Sequence, residues 1–72
     1  MNKYDICVKI GLRIRELRIE KNFSIQQFSD LLDMEYNNLI RIEKGRTNPT
    51  IITLYKISQL LGVKLIDLVD IE

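Results

Sequence analysis

The sequence predicts an all-α fold, a compact bundle of about five helices in a single domain spanning residues 1–72, with its core at about residues 10–69. Three observations carry that prediction. Apolar residues recur at the three- and four-residue spacing of one helix face. The stretches between them hold caps and turn residues, with no repeat, low-complexity tract or linker. The chain is rich in Ile and Leu, poor in aromatics, and long enough to bury only one small core.

The first helix is expected from near Asp5 to Lys21, with Ile10, Ile14 and Leu17 on one face. Asn22 ends it, because Asn is the residue other than Gly that best tolerates the left-handed conformation. Ser24 then caps a second helix, and Gln27 three positions on completes an S-x-x-Q capping box. Phe23 and Phe28 are spaced as a hydrophobic staple, and Phe28, Leu31 and Leu32 are expected to face inward. A tight turn, Asp33-Met34-Glu35, again places an Asx residue where a left-handed conformation is needed.

A third helix follows and ends at Gly45. Met34, Leu39 and Ile42 are expected on its core side, leaving Tyr36, Asn37, Ile40, Arg41 and Lys44 outside. After the polar loop Arg46-Thr47-Asn48-Pro49, Thr50 caps a fourth helix that buries Leu54, Ile57, Leu60 and Leu61. Gly62 closes it, and residues Val63 to Val69 form a short last helix. Cys7 reads as a packing residue of the first helix or a surface thiol.

The order short helix, tight turn, helix and basic loop in residues 23–49, FSIQQFSDLLDMEYNNLIRIEKGRTNP, suggests a DNA-binding helix-turn-helix. The outer face of the third helix suits base edges. Arg can bind guanine O6 and N7 in bidentate fashion, Asn can bind adenine N6 and N7, and Tyr can stack or reach a phosphate. Net charge is only +1, but its distribution is uneven. Residues 36–64 carry five bases against Glu43 alone, a net +4, and residues 65–72 carry three acids and no base.

From IGLRIRELRIEKNFS through LIRIEKGRTNPT to LLGVKLIDLV, about residues 10–69, the chain resembles the lambda-repressor-like, or Xre-type, helix-turn-helix family of phage repressors, Cro proteins and bacterial regulators. The resemblance implies a five-helix lambda-repressor-like domain that binds operator DNA as a symmetric dimer, with the third helix in the major groove. Carried onto this sequence, it implies base reading by Tyr36, Asn37, Asn38 and Arg41. Backbone contacts would come from Gln26, Gln27, Lys44, Arg46, Thr47 and Asn48. It also implies a structural ion pair between Arg18 and Glu43, able to leave a guanidinium edge for a phosphate. Four positions depart from the family pattern. Ile25 stands where a Gln usually opens the second helix, Asp33 for the usual turn Gly, Glu35 for a capping Ser or Thr, and Ile40 for a polar residue. Ser29 takes the place of a small residue.

Ile19, Ile52, Ile66, Val69 and Ile71 exceed what one small core hides, and Ile52, Ile66, Val69 and Ile71 are the candidate dimer interface. The resulting reading is a transcriptional regulator that binds an inverted-repeat operator as a homodimer, of the phage-repressor or restriction-modification controller kind. The alternative is an antitoxin or a protein-interaction module retaining the same fold. An enzyme is not expected, since no nucleophile with its base is assembled and the chain has no His. A lone Cys7 and no His offer no metal cluster, so neither cofactor nor metal is expected, and no small-molecule ligand is evident. No apolar run approaches the roughly 20 residues that span a bilayer, and the N-terminus MNKYDICVKI does not read as a signal peptide. A cytoplasmic protein with no membrane partner is expected.

Overall fold

A computed structural model describes residues 4–71. Five helices follow one another: α1 (Asp5–Glu20), α2 (Ile25–Leu31), α3 (Tyr36–Glu43), α4 (Ile51–Leu61) and α5 (Leu65–Val69). There is no strand among the described residues, and no helix there is long and apolar enough to cross a membrane.

The first four helices stop by one device. Asn22, Asp33, Gly45 and Gly62 follow them in the left-handed conformation, with φ of 63°, 54°, 71° and 69°. At each, two N–H groups reach back into the last turn: Phe23 to the Arg18 carbonyl (3.1 Å), Met34 to Ser29 (2.9 Å), Arg46 to Arg41 (2.9 Å) and Val63 to Ser58 (3.0 Å) close the outer bonds. This is the Schellman arrangement, which satisfies carbonyls that a helix end leaves without partners. The starts of α2, α4 and α5 gain side-chain bonds, whereas Glu35 gives α3 no side-chain cap. The Ser24 hydroxyl accepts from the Gln27 N–H and the Gln27 side chain accepts from the Ser24 N–H, each at 3.0 Å. Thr50 Oγ1 accepts from the Thr53 N–H at 3.1 Å, and the Asp67 carboxylate from the Lys64 N–H at 2.9 Å. The Phe23 and Phe28 rings lie 5.3 Å apart, clamping the α2 entry.

The core joins Ile10, Ile14 and Leu17 of α1 to Phe28, Leu32, Leu39, Ile42, Leu54, Ile57, Leu61 and Leu68. Full burial of a side chain such as Phe28 contributes about 1.5–3 kcal/mol. The structure corrects five expectations. Leu31 is 56% exposed, because α2 turns its small residue inward instead: Ser29 is fully buried, its hydroxyl donating to the Gln26 carbonyl at 3.0 Å. Leu60 is only half-buried, on the rim of the α4 core face. α1 ends at Glu20, with Lys21 as its cap, and α5 starts at Leu65, because Gly62 and Val63 complete the stop of α4. Ile71 is half-buried against the core and does not stand out with Ile52 and Ile66.

Candidate nucleic-acid interface

The position of α3 is fixed by two contacts from one face of α1, seven residues apart. A Cβ on Gly11 would strike the Ile42 carbonyl oxygen and lie 2.6 Å from that of Glu43, so only a residue without a side chain lets α1 lie directly against the end of α3. Two turns along, the Arg18 Nε donates to Glu43 Oε2 at 2.7 Å and its Nη2 to Oε1 at 3.1 Å, a bidentate pair. Arg18 Nη1 donates to the Phe23 carbonyl at 2.7 Å, tying the α1–α2 turn to the same group. The two side chains are only 8% and 4% exposed, so the guanidinium presents no open edge to a ligand.

Held this way, α3 buries Leu39, Ile42 and Glu43 and exposes Tyr36, Asn37, Asn38, Arg41 and Lys44. Asn37, Asn38 and Arg41 line an open cleft whose far wall is Thr53 and Lys56 of α4 and whose end is Leu32, Asp33, Met34 and Glu35. The lining of this cleft thus carries two acids, Asp33 and Glu35, and two bases, Arg41 and Lys56. Ile40 is half-buried and falls on the other flank of α3, in a second cleft with Leu12 and Arg15 of α1, Ile25, Glu43 and Lys44.

The other residues named from the sequence lie around this face with different freedoms. Gln26 and Gln27 are exposed on the first turn of α2. The Gln26 amide already donates to Asp30 Oδ1 at 2.8 Å, whereas Gln27 uses only its carbonyl oxygen in the capping box and keeps its amide N–H groups. Arg46 and Asn48 are exposed and Thr47 is half-buried in the loop after α3. Asn48 also lines a small apolar pocket with Pro49, Ile6, Cys7, Ile10, Gly11, Ile42 and Leu54. Of the candidate dimer residues, Ile52 and Ile66 are 68% and 59% exposed and Val69 is 39% exposed, with Tyr55 and Ile51 of α4 adding to the exposed apolar surface. Thr53, Lys56 and Arg15 also line these clefts, a placement that no local sequence pattern signals, because it depends on which side of α4 or α1 passes beside α3.

A family profile described as helix-turn-helix matches residues 14–68, spanning α3 and the turn before it. The chain belongs to the helix-turn-helix family. Within this family, it is 37% identical over 65 residues to the HTH-type transcriptional regulator y4dJ of Sinorhizobium fredii, covering 90% of this chain and 84% of that one. It is 36% identical over 70 residues to the control protein C.MunI of a Mycoplasma species, covering 94% and 95%. The crystal structure of the restriction-modification controller protein C.AhdI from Aeromonas hydrophila superposes with a TM-score of 0.87 at 26% identity, covering 94% of this chain and 99% of that one. That superposition agrees with the order α1–α5, the five helices of an all-helical fold among the described residues.

Proposed function

We propose that this chain is a transcriptional regulator that binds double-stranded operator DNA as a homodimer, in the manner of a restriction-modification controller protein. The observation that carries the reading is the exposed polar face of α3, with Tyr36, Asn37, Asn38 and Arg41 on a helix clamped from behind by Gly11 and the Arg18–Glu43 pair. A reading helix must hold its donors in fixed register with base edges, and a buried bidentate pair supplies that rigidity. Support for the controller role is the match over nearly the whole length of C.MunI and C.AhdI.

In this account Arg41, Asn37, Asn38 and Tyr36 contact bases, while Lys44, Arg46, Thr47, Asn48, Gln27 and Gln26 contact the sugar-phosphate backbone. Ile52, Ile66 and Val69 form the dimer face, with Ile71 at its edge, and the two α3 helices enter successive major grooves about 34 Å apart. No chemistry is required: occupancy of the operator is the regulatory act, performed in the cytoplasm. Base and backbone roles separate experimentally. Arg41→Ala should relax preference at one base pair per half-site at a cost of about 1–3 kcal/mol, whereas Arg46→Ala should weaken all sequences equally. An equal loss on cognate and random duplex for Arg41→Ala would remove it from the base readers.

A further inference from the structure

We propose that Arg15 and Lys44 form a phosphate-binding pair, straddling an apolar floor of Leu12, Ile25 and Ile40 that receives one sugar-phosphate unit of the bound strand. The inference rests on the reading of α3 as the DNA-facing helix and adds a contact made by α1. Two isoleucines that look misplaced in the sequence, one opening α2 and one on the outer side of α3, converge with Leu12 in a single cleft of about 330 Å³. Both isoleucines are half-buried, while Leu12 is 49% exposed, so an apolar surface is left open beside α3.

Charge selects the occupant. Arg15 and Lys44 are both exposed at the cleft, and Arg15 has no ion-pair partner among the described residues. The carboxylate lining the cleft, Glu43, is already neutralised by the bidentate Arg18. Two cations around an apolar floor fit a ligand that is anionic at one atom group and apolar beside it. A nucleotide backbone unit has that composition: the phosphate takes the guanidinium and ammonium donors, and the deoxyribose carbons cover Leu12 and Ile40. Because Ile40 and Lys44 belong to α3 itself, a strand flanking the groove that α3 enters passes over this cleft without any rearrangement.

The test is the salt dependence of binding by the full chain to a selected operator duplex and to a random duplex. Each phosphate contact adds about 0.9 to the slope of log K against log salt. Arg15→Ala should lower the slope by about 0.9 on both duplexes while leaving their affinity ratio unchanged, and Arg15→Lys should keep the wild-type slope. Lys9→Ala, which removes an equal charge from a separate cleft that Leu12 shares with Arg13, Glu16, Asp70 and Ile71, should leave the slope unchanged. Melting curves confirm that each variant is folded. A wild-type slope in Arg15→Ala, or an equal drop in Lys9→Ala, overturns the pair while the regulator reading stands. Wild-type association that ignores salt overturns both.

Discussion

Removing Glu43 should be among the most damaging single changes outside the apolar core. Its carboxylate is 4% exposed and receives two of the three hydrogen bonds that Arg18 makes, the third going to the Phe23 carbonyl. Glu43→Ala would leave a guanidinium buried at 8% exposure with one neutral acceptor. Breaking a buried pair from one side costs about 3–5 kcal/mol. A domain of this length has about 4–11 kcal/mol of stability in total, from roughly 0.05–0.15 kcal/mol per residue. The variant is therefore left marginal or unfolded, with Tm lowered by at least about 12 °C at roughly 4 °C per kcal/mol. The double variant Arg18→Met/Glu43→Leu removes both charges and should return to within about 1–2 kcal/mol of the wild type, because the penalty lies in the orphaned charge rather than in the lost attraction. Urea denaturation followed by circular dichroism measures all three proteins. A loss below about 1 kcal/mol for Glu43→Ala, or a double variant no more stable than the single one, would refute the reasoning.

Two further substitutions probe how α3 is placed. Gly11→Ala gains about 1 kcal/mol of helix propensity but drives a methyl group into backbone carbonyls of α3, where overpacking costs about 1–3 kcal/mol, so a net loss is expected in the urea midpoint and DNA affinity should fall with it. An unchanged midpoint would mean that α1 and α3 separate easily. Asp33→Gly relieves a non-glycine residue at φ 54° and removes an acid from the α3 cleft, so Tm should rise by the equivalent of up to about 1 kcal/mol and DNA affinity at low salt should increase; a lower Tm would contradict the strain assigned to that turn.

The helix ends were the most legible part of the fold. Asn22, Asp33, Gly45 and Gly62 act through their own backbone conformation, and Ser24, Gln27 and Thr50 through bonds three residues away, so the information is local. What depended on partners distant in sequence was not legible. Leu31 and Ser29, two residues apart on α2, have opposite fates, and hydropathy alone places Leu31 inward. Gly11 carries no side chain to signal its role, which exists only because two carbonyls of α3 lie against it. The departures Ile25 and Ile40 become intelligible once the fold brings both to Leu12, and Lys56 joins Asp33 and Glu35 in one cleft only through the placement of α4. The composition of the α3 outer face was readable from its period, whereas Arg15, on another helix, was not.

The measurement that bears most directly on the central claim is binding of the wild-type chain to an operator selected from random duplexes, titrated from 50 to 200 mM salt beside an unrelated duplex. A phosphate-clamped reading helix predicts that affinity falls on the order of a hundredfold or more over that range, and that the selected site, an inverted repeat, stays roughly a thousandfold or more tighter than the unrelated one. Failure to select any sequence, or association indifferent to salt, would contradict the account and move the α3 face from DNA to a protein partner.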